Sequence, residues 1–278
     1  MEHASYSFEA FARALVYIPA ILLLGSISYR WVYVDSKLEE KWLGRLAFLA
    51  ASALVLAIGV RAVAHDYAAF GEDAWSWESL RLIVIESRWG QRWRWQLVAA
   101  VASVMSLALV SIAPKLGWVL TSLSGLGLCF SLPLTGHAMV LGTTIILLQA
   151  AHVAGAGIWM GTLSVLVLAF RRDPNPERFR RLAPIATTGA LLVGVSGVVT
   201  AWHALPDFAS LWQSAWGRLL ATKLALVVAI GGCGFFNWRH FRAPEQPVHQ
   251  DSGWVTIEVG LAALLLVVTG WLAETGMP

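Results

Sequence analysis

Apolar residues run along this chain in blocks rather than in stripes. Eight blocks near the length of a membrane span stand out, at about 9–33, 46–65, 94–112, 116–132, 142–170, 182–203, 216–237 and 254–273. About 20 apolar residues cross the ~30 Å hydrocarbon core as a helix, and in lipid a helix satisfies its own backbone hydrogen bonds. The pattern therefore predicts an all-α integral membrane protein with about eight transmembrane helices. Composition agrees, since 13% of residues are charged where a soluble domain carries about 25%. The first block lacks a basic leader and a small-x-small cleavage site, so it is expected to be a retained helix rather than a signal peptide.

The polar segments between blocks set the expected orientation. The 171–181 loop carries Arg171, Arg172, Arg178, Arg180 and Arg181. Arg239 and Arg242 follow a later block, and Arg30, Lys37, Lys41 and Arg45 lie between the first two. The stretches "SLPLTGHAMVLG" and "HALPDFASLWQSA" hold no Lys or Arg. The positive-inside rule puts the first set on the cytoplasmic side, the second on the periplasmic or extracellular side, and both termini outside. Residues 66–95 stand apart, outside but arginine-bearing. Leu80, Ile83 and Val84 recur there at helical spacing, which predicts an amphipathic helix lying in the interface. Tryptophans near block ends, among them Trp31, Trp42, Trp95, Trp118, Trp216, Trp238, Trp254 and Trp271, are expected to form a headgroup belt.

Two parts of the chain echo each other. "SRWGQRWRWQL" at 87–97 matches "SAWGRLLATKL" at 214–224, at an offset of 127. "GVRAVAH" ending at His65 matches "GVVTAWH" ending at His203, and a weaker echo links "RALVYIPAILLLGS" to "QAAHVAGAGIWMGT". Similar offsets in one order predict a 4+4 parallel repeat, with residues 1–135 and 136–278 as the halves.

Charge and chemistry narrow the function. The net charge of +3 is spread over loops without a basic tract, so nucleic acid is not an expected partner; membrane lipid is. Cys129 and Cys233 lie in separate apolar blocks and are expected to be buried thiols. The histidines are the conspicuous feature. His65, His137 and His203 fall at outer block ends, while His152 lies about ten residues inside its block, or ~15 Å deep. An ionisable group there needs a partner. Gln149, one turn earlier, is the local candidate, and a hydrogen bond to another helix is the structural alternative. Imidazole and thioether donors suit copper, which makes His152, His137, His203 and His65, with Met139 and Met160, the candidate metal ligands. Neutral imidazole is the ligating form, so binding should weaken below about pH 6.5. A second possibility is b-type haem between His65 and His203, and a third is a non-transporting assembly or scaffold protein with structural histidines. Lys223, inside its block, is expected to snorkel or to contact the other half, with Gln96 as its repeat counterpart. No enzymatic reaction is expected unless haem confers redox activity.

The run "QAAHVAGAGIWMGTL", the arginine loop with "RFRRLAP", then "GVVTAWHAL", "WGRLLATKLALVV" and "NWRHF", resembles the CopD family of copper resistance membrane proteins, most clearly over 145–242. "GHA" at 136–138 and "SRWGQRWRWQL" extend the likeness upstream. The resemblance implies an eight-helix inner-membrane protein that handles a copper ion at the periplasmic face. It further implies copper uptake and a periplasmic CopC-like copper-binding partner.

Overall fold

The computed structural model describes residues 2–34, 36–136, 142–173, 175–242 and 253–277. All its regular elements are helical. α1 (Glu2–Tyr33) and α2 (Lys37–Phe70) are followed by the short α3 (Trp77–Arg81) and a π-turn, Leu82–Glu86. α4 (Arg88–Leu109) and α5 (Pro114–Ser131) come next, closed by a 3₁₀ turn, Leu132–Thr135. α6 (Thr143–Ala156) passes through a second π-turn, Gly157–Gly161, into α7 (Thr162–Arg172). α8 (Pro176–Ala204), the single-turn α9 (Ser210–Gln213), α10 (Ala215–Arg242) and α11 (Gly253–Glu274) complete the order.

Among the described residues, six stretches are long and apolar enough to cross a membrane: Tyr6–Tyr33, Lys37–Asp73, Pro114–Thr135, Thr143–Arg172, Arg180–Ala204 and Ala215–Phe236. The chain is a multi-pass membrane protein. Two further long helices, α4 and α11, fall on the other expected blocks. α4 opens with Arg88, Arg92 and Arg94, and the apolar part of α11 is the shorter Gly260–Glu274.

Helix starts follow ordinary capping chemistry. Ser36 Oγ accepts from Glu39 N at 3.2 Å, Ser87 Oγ from Gly90 N at 2.8 Å, and Asn175 Oδ1 from Glu177 N at 3.0 Å. α2 runs five residues past its apolar block, because polar backbone emerging into water loses nothing by staying helical. The 66–95 segment is helical in pieces. It is the end of α2, then α3 broken from α4 by the π-turn, and it docks on the protein, with Ile83 buried against its neighbours. Asp66, fully buried, fastens it by accepting from Trp75 N at 2.6 Å and Ser79 Oγ at 3.1 Å. The tryptophan belt is also partly corrected. Trp31 and Trp95 are exposed, but Trp118 and Trp216 are buried in helix contacts.

α1 is the hub. It packs on α2, α5, α7, α11 and the Gly157–Gly161 turn. Contact with the turn is made backbone to backbone, and a methyl placed on Gly25 would overlap the main chain of Gly161. One apolar cluster joins Leu23, Leu54, Ile58, Trp118, Leu128 and Leu166, and a second joins Ile21, Trp159, Met160, Val193, Ile230 and Leu265. α8 and α10 turn Leu191, Val195, Val198 and Val228 outward, as lipid-facing helices do.

Ion pairs hold both ends of α1. At one end, Tyr29 donates to Glu39 Oε1 at 2.8 Å, and Arg178 reaches Glu39 at 3.4 Å and Asp173 at 2.9 Å. Arg178 also lies over the Tyr33 ring, whose hydroxyl accepts from Asn175 at 3.0 Å. At the opposite end Arg13 pairs with Glu274 of α11, and Tyr6 contacts Thr275 and the Trp271 carbonyl.

Two consequences can be measured by thermal unfolding in detergent. Gly161→Ala should cost about 1–3 kcal/mol through overpacking, whereas Gly59→Ala, with open space around it, should leave Tm unchanged or slightly higher. Arg13→Met should cost about 3–5 kcal/mol by stranding the Glu274 carboxylate, and adding Glu274→Met should restore much of that loss.

Candidate functional site

α2 sets Arg61 and His65 one turn apart on a single face, and that face meets α1 and α4. His65 Nδ1 lies 2.5 Å from Glu9 Oε1 of α1. Its ring stacks on Trp89 of α4, with centroids 4.0 Å apart and planes 15° from parallel. Trp93 extends the stack, and Arg61 lies 5.7 Å from the Trp89 ring centre.

Beneath this pair lies a charged network. Arg61, 2% exposed, donates to Thr135 Oγ1 at 2.7 Å and Gln96 Oε1 at 3.3 Å, and sits 3.9 Å from Glu274. Arg13 donates to the Thr135 carbonyl at 2.7 Å and the Ala273 carbonyl at 3.2 Å. Gln96, fully buried, donates to Thr135 Oγ1 at 2.9 Å and the Ser131 carbonyl at 3.0 Å. Two guanidiniums are thus balanced by two carboxylates, Glu9 and Glu274. An unpaired charge buried at this depth would cost several kcal/mol, so the balance is what makes the cluster tolerable.

The second half holds a sparser arrangement. His152 of α6 is bonded through Nδ1 to Ser196 Oγ of α8 at 3.1 Å. The expected partner Gln149 is therefore replaced by a hydroxyl on the facing helix, the interhelical bond of the structural alternative. Lys223 of α10 lies within electrostatic range of the His152 ring. His203 is exposed at the end of α8, and its Nδ1 lies 2.8 Å from the Val199 carbonyl. Met160 is packed in the apolar cluster with Ile21 and Val193. His137 and Met139 lie outside the described residues.

Donor logic fixes the state of these rings. The Val199 carbonyl can only accept, and so can the ionised Glu9 carboxylate. Ser196 Oγ already points its hydrogen at the Leu192 carbonyl, 2.5 Å away, leaving it a lone pair for His152. All three histidines are accordingly assigned as Nδ1–H tautomers, which leaves Nε2 the unprotonated nitrogen. No hydrogen bond to Nε2 is formed by described residues. That is the form in which imidazole ligates a metal.

The three rings do not converge. Among the described residues no group of three or more His, Cys, Asp or Glu side chains is arranged to hold a metal ion. His65 and His203, the pair the repeat offered for haem, sit on α2 and α8, which form no substantial contact. Both cysteines are free and buried. Sequence reasoning missed Glu9, Arg13, Arg61 and Glu274. Their signal was available: ionisable residues within or at the rim of apolar blocks are costly and so mark partnered sites.

Comparison with known proteins bears on this geometry. The chain is similar to "Copper transport protein CutJ" of Bacillus subtilis (strain 168), at 26% identity over 277 residues covering 91% of this chain. The chain spans 50% of that relative's length. No solved structure matches it. Residues 5–143 match the family described as "Copper resistance protein D-like, N-terminal domain". That segment carries Glu9, Arg13, Arg61, His65 and Gln96, and residues 176–272, with Ser196, His203 and Lys223, match "Copper resistance protein D". His152 and Glu274 lie outside both segments; with residues 5–143 and 176–272 matched, the chain belongs to the CopD family of copper resistance proteins.

Proposed function

We propose that this chain carries copper across the bacterial inner membrane, taking it up from the periplasmic face by way of its histidines. The observation that carries this reading is the shared state of His65, His152 and His203. Each has Nδ1 held by an oxygen and Nε2 open, and a ligating histidine is held in this way. The name of the Bacillus subtilis relative supports transport as the activity. Copper is the cargo in this scheme, received at the end of the bundle that holds His65 and passed between the halves. A periplasmic CopC-like copper-binding protein is the partner that would deliver it.

The reading includes eight spans in a 4+4 arrangement with both termini periplasmic. Local structure supports the repeat. Ser87 and Ser214 share one cap, each Oγ accepting at 2.8 Å from the glycine three residues on, Gly90 or Gly217. At both glycines a Cβ would strike the backbone of the preceding turn. The clustering of Glu39, Asp173 and Arg178 at one end fits the arginine-rich loops sharing the cytoplasmic side.

Metal analysis tests the proposal. Purified wild-type protein should carry copper, and the combined His65→Ala, His152→Ala and His203→Ala variant should bind it at least about tenfold more weakly. Cells expressing that variant should accumulate less copper at equal protein level. Wild-type copper content and accumulation in the triple variant would overturn the reading.

A further inference from the structure

The three open histidines differ in the charge beside them. His152 is held by a neutral hydroxyl and lies in the field of the Lys223 cation. His203 is held by a carbonyl of its own helix. Only His65 is held by a carboxylate, Glu9, at 2.5 Å. The two arginines near Glu9 are themselves engaged, Arg13 by Glu274 and two carbonyls, Arg61 by Thr135 and Gln96. An incoming cation therefore meets a charge-balanced cluster at His65, whereas near His152 it enters the field of Lys223. Like charge opposes its approach there.

Geometry at His65 is also the more constrained. The Glu9 bond fixes rotation of the ring and assigns its proton to Nδ1. The Trp89 indole covers one ring face at 4.0 Å, so the ring has one plane and one free nitrogen. His65 retains 26% side-chain exposure. A carboxylate–histidine pair of this kind raises the basicity of the outer nitrogen.

We propose that Glu9 is the positioning residue of a copper-capture station at His65, holding Nδ1 so that Nε2 is the atom presented to the ion. The station rests on the copper-transport reading above and makes His65, rather than the deeper His152, the first contact. Glu9 acts through the ring and does not itself ligate.

Cu(II) titration and pulsed EPR of purified full-length protein test this. Glu9→Ala should weaken Cu(II) binding about 10–100-fold. Glu9→Gln keeps an oxygen for Nδ1–H without the charge, so it should fall between Ala and wild type. The remote imidazole nitrogen seen by pulsed EPR senses its own hydrogen bond. Its quadrupole coupling should shift in Glu9→Ala and stay near wild type in Glu9→Gln. A purely structural counter-ion role predicts instead that Gln and Ala lower Tm alike while leaving affinity and coupling untouched, and that result overturns the proposal. Wild-type binding in His65→Ala, with loss in the triple histidine variant, would also overturn it while sparing the transport reading. Full binding in the triple variant would sink both.

Discussion

Everything in this bundle is arranged around the approach of α1 to the Gly157–Gly161 turn. Two glycines, Gly25 and Gly161, let the backbones touch where any side chain would hold them apart. In lipid no hydrophobic force draws helices together, so close packing and polar contacts must do that work. The π-turn widens the helix locally at this contact. From there α1 also packs on α2, α5, α7 and α11. Its two ends are fastened by separate charge clusters.

The cluster at the Arg13 end shows how a membrane protein tolerates buried charge. Arg13, Arg61, Glu9 and Glu274 come from three helices, and each is unfavourable alone. Assembled, they neutralise one another, and Thr135 and Gln96 accept from the guanidiniums, while Arg61 Nε has no hydrogen-bond partner among the described residues. Its consequence for chemistry is that a histidine can be kept at the rim with a carboxylate behind it. Around His152 the arrangement differs, with the Ser196 hydroxyl on Nδ1 and Lys223 within electrostatic range of the ring.

The two segments that echo each other in sequence carry different polar side chains. Ser87 and Ser214 build the same cap, yet Val199 stands at the position that aligns with Arg61, and Lys223 at the one that aligns with Gln96. Near His65 a guanidinium meets an amide and a hydroxyl. Near His203 the Val199 carbonyl holds the histidine of its own helix.

The blocks of apolar residues determined the helices, since span length and backbone satisfaction in lipid leave no other structure. Resemblance in short motifs was enough to indicate the family. Local rules also identified the buried cysteines. What the sequence left open was pairing. Nothing in the spacing of His152 favours Ser196 over Gln149, because the choice depends on which face of α8 is turned toward α6. Trp118 and Trp216 look like belt residues until packing covers them. Glu9 and His65, or Arg13 and Glu274, are far apart along the chain and meet only because α1 lies between α2 and α11. Sequence by itself decided that this chain is a helical membrane protein with histidines at its polar margins. Tertiary structure alone decided which charges neutralise each other, and so which imidazole has an anion at its back, because such contacts are set by helix rotation and depth rather than by order along the chain.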